Sequence, residues 1–163
     1  MSIINPFTVV VTFAIILAVL AYFRPKTGRI VTGIFFLTMA LGVNVPILFT
    51  DPTLFAATGA KAFLPIYRWF FGEILATYPV PFVMALILFE TSVGLLILSK
   101  GKAVKLGLIA ASLFCLFLTP VGIEEITSPL LIVSFVILMR QEFPEPAFRW
   151  KKLISTAKMV PSE

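Results

Sequence analysis

Five long apolar runs, separated by short polar connections, organise this sequence. They cover residues 7–23, 30–49, 80–98, 106–122 and 129–139. A helix that crosses a bilayer core about 30 Å thick needs about 20 apolar residues at a rise of about 1.5 Å per residue. The first three runs approach that length, whereas the last two are short, so we expect the hairpin between them to lie partly sunk in the membrane. The pattern predicts an all-α integral membrane bundle of five membrane-embedded helices, a four-helix core plus an N-terminal helix.

Prolines and capping residues mark several helix ends. Asn5-Pro6 opens the first run and Ser128-Pro129 opens the fifth, both as an N-cap followed by a first helical proline. The sequence Asn44-Val45-Pro46 predicts a kink or an early stop in the second helix. A cleavable signal peptide carries basic residues before its apolar stretch, whereas here they follow it. We therefore expect the first run to stay as an anchor.

Composition supports a membrane environment for the whole chain. Hydrophobic residues make up 60% of the 163 positions and charged residues only 13%, with a mean hydropathy of +1.06. A typical soluble domain is about half apolar and about a quarter charged. The chain therefore needs lipid as its solvent. We expect a single transmembrane bundle over residues 1–145 and a basic amphipathic cytoplasmic tail over residues 146–163.

The basic residues predict the orientation. All Lys and Arg residues except Lys61 and Arg68 fall in three alternate segments, residues 24–29, 100–105 and 140–158. Basic segments next to membrane helices stay on the cytoplasmic side. The sequence therefore predicts a multi-pass protein of the plasma membrane, with its N-terminus outside and its C-terminus in the cytoplasm.

The connection over residues 50–79 is not an ordinary polar loop. Its aromatic residues are Phe55, Phe63, Tyr67, Trp69, Phe70, Phe71 and Tyr78. A narrow polar stripe at helical spacing lies in the same segment, and its members are Lys61, Pro65, Arg68 and Gly72. This pattern is typical of a helix that lies along the outer interface of the membrane.

The residues that are missing exclude several kinds of chemistry. The chain has no histidine and a single cysteine, Cys115, which rules out bis-His haem, CxxC motifs and catalytic sites that need histidine. The adjacent Glu124 and Glu125 lack a third ligand for a cation and fit helix-dipole capping better. No metal site and no catalytic residue is predicted. Catalysis by this chain alone is not expected, although the sequence leaves the question of an enzyme open.

Glu90 is the outstanding candidate residue, because it is the one charged residue of the third run and lies near its centre. An intramembrane carboxylate costs a few kcal/mol unless it is paired or hydrated, and such acids are functional candidates. Gly94, one turn further on, and Thr91 leave room beside it for a helix or a ligand. Two interpretations stay open: Glu90 hydrogen-bonds across the bundle as a structural contact, or it serves a ligand or a proton.

Four further polar or aromatic residues extend this candidate site. They are Asn44, Arg68, Glu73 and Tyr78, which together would line a vestibule open to the outside. The alternative is that the aromatic and basic side chains of this loop are interfacial anchors. An aromatic lid over a buried carboxylate suits a flat apolar ligand such as a quinone or a lipid tail.

Two stretches of the chain resemble the DoxX-like family of small four-helix membrane proteins. They are GRIVTGIFFLTMALG, with an arginine and spaced glycines, and ALILFETSVGLLILSKGKAVKLGLIAASLF, with a mid-helix glutamate and a basic hairpin. The resemblance covers residues 29 to about 120 and singles out Arg29 and Glu90. It implies a role as a subunit of a quinone-linked membrane oxidoreductase or as an assembly factor. The extra first helix, the aromatic loop and Asn44-Val45-Pro46 depart from the family pattern.

Three functional hypotheses follow. The first is a non-catalytic subunit or accessory protein of a quinone-linked membrane oxidoreductase, which holds a quinone or lipid near Glu90. The second is a small proton- or cation-coupled carrier that works as an oligomer, and the third is a membrane assembly chaperone or scaffold. The expected partners are membrane lipid and either another membrane subunit or further copies of this chain. Nucleic acid is not expected, because the basic tail lies beside Phe148 and Trp150 at a membrane exit and fits anionic lipid.

Overall fold

The structure is a computed structural model that describes residues 6–59, 61–122 and 128–148. Within these ranges the backbone forms helices and turns, as the all-α prediction required. The α-helices are α1 (Pro6–Phe23), α2 (Pro25–Thr38), α3 (Val45–Thr50), α4 (Leu54–Gly59), α5 (Pro65–Trp69), α6 (Pro79–Leu98), α7 (Lys102–Leu118) and α8 (Ser128–Met139). Two π-helical turns, π1 (Met39–Asn44) and π2 (Phe70–Leu75), join α2 to α3 and extend α5, and a 3₁₀ turn, Thr119–Val121, extends α7.

Three features of the sequence analysis lie outside the described residues. They are the N-cap Asn5, the acidic pair Glu124 and Glu125, and the basic tail from Arg149 onward. Residues 146–148, the first residues of the predicted tail, are described. The amide of Ala147 donates a hydrogen bond to the carbonyl of Leu98 at 2.9 Å. The described beginning of the tail is therefore attached to the bundle.

The five long helical segments close into a ring around a common core. α2 packs against α1 and α6, α7 packs against α6 and α8, and α8 packs against α1. The centre is filled by fully buried side chains from each of these helices. They include Leu17, Phe36, Ile97, Leu108 and Phe135. The N-terminal helix α1, which the sequence predicts as an addition to a four-helix core, is thus an integral part of the bundle.

Three helices are long and apolar enough to cross a membrane. They are the continuous helix Pro25–Thr50, then Pro79–Leu98, and the helix Lys102–Val121. The fourth apolar run, which looks short in the sequence, belongs to a longer helix that has 20 residues and begins at Lys102. Apolar residues alone underestimated its length, since lysines in a first turn bury their stems and keep their ammonium groups in water.

The outward faces of these helices are apolar. Leu88 and Leu95 of α6 are 66% and 57% exposed, and Leu113 of α7 is 62% exposed. Contiguous apolar surface of this extent is uncommon on soluble monomers. It fits a lipid environment.

Successive long helices run in opposite directions, so their connections gather at two ends of the bundle. At one end the amide of Gly101 donates to the carbonyl of Phe143 at 2.7 Å, which joins the α6–α7 turn to the segment after α8. Gly101 has a φ of 59°, a backbone conformation that favours glycine. At the other end the amide of Phe63 donates to the carbonyl of Pro120 at 3.0 Å. The basic residues described near the first end are Arg24, Lys26, Arg29, Lys100, Lys102, Lys105 and Arg140, and we call it the basic end.

Candidate functional site

The π-helical turn π1 places Asn44 inside the bundle. The amide of Val45 donates to the carbonyl of Ala40, five residues back, and the next residue, Pro46, has no amide hydrogen to donate. A single wide turn therefore absorbs the proline, and the helix continues to Thr50 instead of stopping. Such π turns are frequent at functional sites because they change the direction of a side chain. Asn44 is only 2% exposed.

Asn44 and Glu90 form a buried hydrogen-bonded pair. The Nδ2 of Asn44 donates to Oε2 of Glu90 at 2.6 Å, and Glu90 is 3% exposed. Side chains on a helix lean toward its own N-terminus. Because α2–α3 and α6 run in opposite directions, the two side chains lean toward each other. Among the described residues, the second carboxyl oxygen of Glu90 makes no hydrogen bond.

A cavity of about 260 Å³ adjoins this pair. It lies between π1, α6 and the end of α7, and the polar side chains of described residues that line it are Asn44, Thr58 and Glu90. The rest of its wall is apolar and rich in phenylalanine, including Phe82, Phe114 and Phe117. The Thr58 hydroxyl already donates to the carbonyl of Leu54 at 3.1 Å. The pair Asn44–Glu90 is therefore the main polar feature of an otherwise apolar space.

The connection between α3 and α6 covers this cavity, and we call residues 54–59 and 61–75 of it the lid. Phe55 and Phe71 of the lid line the cavity. Phe71 packs edge to face on Phe82 of α6, with ring centroids 6.3 Å apart. Gly59 lies directly against the Phe71 ring, where a Cβ atom would have no room. The lid is thus held by aromatic packing as well as by the backbone bond from Phe63 to Pro120.

The helix that the sequence predicts within the connection over residues 50–79 is confirmed as a helical segment over residues 65–77. It consists of α5, π2 and one further turn that ends at Thr77. Its polar stripe is exposed, at positions Lys61, Pro65, Arg68 and Gly72. Phe71 and Leu75 of the same segment are buried against Val121. The segment is amphipathic in the sense that the sequence indicated.

Gly94 and Thr91 lie near Glu90 but do not line the cavity. Gly94 is buried at the crossing of α2 and α6, where an added Cβ atom would lie 2.8 Å from Leu37. The room beside Gly94 is therefore taken by a helix of the same chain. Thr91 is half-buried.

The predicted vestibule does not form from all four of its residues. Asn44 joins Glu90, but Arg68, Glu73 and Tyr78 are exposed and do not line the cavity. Within π2, Glu73 is exposed, while Phe71 and Leu75 are buried. The interfacial-anchor interpretation fits the exposed positions of Arg68 and Tyr78 better.

Arg29, the second residue of the family pattern, lies at the basic end and far from the cavity lining. Its Nη1 donates to the carbonyls of Ser99 at 3.2 Å and Glu145 at 3.1 Å. The guanidinium carbon lies 4.6 Å from the centre of the Phe143 ring, a cation–π contact. Arg29 therefore ties α2 to the α6–α7 turn and to the segment after α8.

No protein-family model matches the chain, and neither the curated proteins nor the solved structures compared with it contain a match.

The sequence did not single out several residues of the cavity wall. Phe114 and Phe117 of α7 and Met39 of π1 line it, together with Thr58 of the lid. The sequence could not identify these residues as cavity-lining, because most of α7 is apolar. A phenylalanine that faces a cavity then cannot be distinguished by sequence from one that faces lipid. The spacing of Phe114 and Phe117, three residues apart on one helix face, is the feature that indicates a common surface.

Proposed function

We propose that this protein is a non-catalytic membrane protein that binds the ring of a quinone-type molecule in the cavity beside Glu90. The observation that carries the proposal is the buried pair Asn44–Glu90 at the wall of an apolar, lid-covered cavity. We further propose that the protein has an accessory role in a quinone-linked membrane oxidoreductase, which is the role that the resemblance to the DoxX-like family implies.

The size of the cavity favours a ring. A cavity of about 150 Å³ accommodates benzene, whereas sites for drug-sized ligands start at about 300 Å³. At about 260 Å³ the space takes a substituted six-membered ring but not that ring together with a long chain. The phenylalanine rings of the wall offer flat apolar surfaces on which such a ring stacks.

The polar groups suit carbonyl oxygens on that ring. An amide nitrogen carries two donors, and one of those on Asn44 is used by Glu90. The second N–H is available to a ligand carbonyl, and the unbonded oxygen of Glu90 is available to a hydroxyl of the reduced form. Among the described residues, no group of potential metal ligands lies together. We propose that these side chains bind and orient the ligand.

The proposed membrane arrangement has five crossings, with the basic end in the cytoplasm. Besides the three long apolar helices, α1 has 18 residues and spans about 27 Å at about 1.5 Å per residue. α8 packs beside both α1 and α7, and its 12 residues are all apolar or small. The basic side chains at one end fit the cytoplasmic side of a membrane. The lid would then lie at the outer interface.

Quinone binding tests the proposal directly. The chain contains two tryptophans, so a Trp150→Phe background leaves Trp69 of the lid as a fluorescent reporter. We expect a tail-less benzoquinone to quench Trp69 saturably in lipid nanodiscs, and Glu90→Leu to abolish the saturable component. Ser92→Ala is the matched control, because Ser92 lies on the exposed face of α6 and its hydroxyl donates to the carbonyl of Leu88.

The same preparation also tests the accessory role. Mass spectrometry of lipids extracted from the gently purified protein should find a quinone, and intact-complex mass spectrometry should find a stoichiometric redox-active subunit. Saturable quenching that persists in folded Glu90→Leu protein would remove the cavity as the binding site. Absence of saturable quenching in the wild type would reject quinone binding altogether.

A further inference from the structure

A second apolar space lies beside the cavity, on the outside of the bundle. It is a groove of about 210 Å³ between the helical part of the lid and the end of α7. Its lining residues are Ile66, Tyr67, Trp69, Phe70 and Phe117. Ile66 and Trp69 are 60% and 53% exposed, so the groove is open to the outside of the bundle.

One layer of aromatic rings separates the groove from the cavity. Phe117 lines both spaces, and its ring lies 5.3 Å from the ring of Tyr67. On the other side of the groove, Phe70 packs edge to face on Phe71, which lines the cavity, with centroids 5.5 Å apart. Phe117 lines both spaces, so a path from the cavity past its ring would lead into the groove.

We propose that the ligand of the Glu90 cavity carries a hydrocarbon tail, which passes Phe117 and lies in this groove. The inference rests on the proposed function and narrows its ligand to a ring-headed, lipid-soluble amphiphile. The cavity has room for a ring alone, so a tail needs a separate path. An apolar chain lowers its free energy by following an apolar path to lipid, and the groove supplies one.

Photolabelling locates the tail. The probe is a benzoquinone with a decyl tail that ends in a diazirine, used on the full protein in lipid nanodiscs. We expect label on peptides that contain Ile66, Trp69 or Phe117. A tail-less benzoquinone at about ten times its Kd should lower this labelling about tenfold by mass action, because the two compete for the ring site.

Two matched variants test the groove itself. Ile66→Trp fills the groove at an exposed position, and Leu116→Trp adds the same bulk to an exposed position of α7 that lines neither space. We expect Ile66→Trp to remove the label from the groove while the tail-less ring binds as before. Because the added tryptophan obscures the Trp69 signal, binding of the ring to both variants is measured by equilibrium dialysis. Leu116→Trp should leave both the label and the binding of the ring unchanged.

The outcomes separate this inference from the proposed function. Groove labelling that the tail-less ring does not lower would mean that the label reports surrounding lipid, and the tail path would be wrong. Label on other faces of the bundle, together with Glu90-dependent binding of the ring, would overturn the tail path and leave the ring site standing. If the tail-less ring itself does not bind, both the proposed ring site and the proposed tail path are wrong.

Discussion

Gly33 of α2 and Gly94 of α6 meet backbone to backbone. A Cβ atom added to Gly94 would lie 3.0 Å from the carbonyl oxygen of Gly33, and one added to Gly33 would lie 3.2 Å from the carbonyl oxygen of Gly94. Small residues allow this close approach of membrane helices, which is stabilised by van der Waals packing. The crossing fixes α6 against the helix that carries Asn44. It thereby sets the distance across which Asn44 reaches Glu90.

Enlarging Gly94 should destabilise the bundle. We expect Gly94→Ile to lower the free energy of unfolding by about 1–3 kcal/mol, because the added atoms meet Leu37 and the backbone of Gly33. Gly72→Ala is the control, since nothing lies within 4 Å of its added Cβ atom. Gly72→Ala should leave the free energy of unfolding unchanged or raise it by about 0.4–1 kcal/mol. Denaturant unfolding in detergent measures both, and equal effects of the two variants would contradict the close crossing.

The Asn44–Glu90 hydrogen bond should show modest coupling. Double-mutant cycles between membrane helices average about 0.6 kcal/mol and reach about 1.7 kcal/mol. We expect a coupling in this range between Asn44→Ala and Glu90→Ala, measured from unfolding free energies. Glu90→Gln keeps the size and an acceptor oxygen, so its stability should stay close to that of the wild type. Additive effects in the cycle would show that the two side chains do not interact in the folded protein.

Loss of Arg29 should release the segment after α8. Arg29→Ala removes two charge-assisted hydrogen bonds to carbonyls, each with a net contribution of about 1.5–3 kcal/mol. We expect lower thermal stability and faster hydrogen exchange at the amides of Gly101 and Ala147, which bond across this contact. Lys26→Ala, at an exposed neighbouring position, should change neither. Unchanged hydrogen exchange at both amides in Arg29→Ala would show that Arg29 does not hold the segment after α8 against the bundle.

Membrane orientation is accessible to cysteine labelling. We expect cysteines at Ser2 and Thr58 to react with an impermeant reagent from outside, and cysteines at Lys102 and Ser155 only from inside. The native Cys115 is buried and should give a low background. Reaction at Lys102 from the outer face would eliminate the arrangement with five crossings, because the basic hairpin is its main support.

The environment of Trp69 reports on the position of the lid. Trp69 is 53% exposed on the helical lid segment. If this segment lies in the membrane interface, we expect lipid-attached quenchers to reach Trp69 and aqueous iodide to reach it poorly. The measurement uses Trp150→Phe protein in vesicles. Efficient quenching by iodide alone would place the lid in water and remove the interfacial helix.

The sequence by itself determined where the helices lie and which of their ends are basic. It also determined that Glu90 is exceptional, because an acid in an apolar run is costly whatever surrounds it. Prolines and lysines at helix ends act through local geometry and charge, so neighbouring residues suffice to predict their effects. The length of α7 was the exception, since its first turn is formed by basic residues that a hydropathy pattern excludes.

Only the tertiary structure decided which side chains face each other. Asn44 and Glu90 are 46 residues apart and meet through a π turn and the Gly33–Gly94 crossing. The neighbours Trp69 and Phe71 have similar chemistry, yet one is exposed and the other is buried over the cavity. In water, the period of polar residues shows which face of a helix is buried. In lipid, the core and the exterior are both apolar, so hydrophobicity no longer distinguishes the two faces, and packing alone selects the residues that form the site.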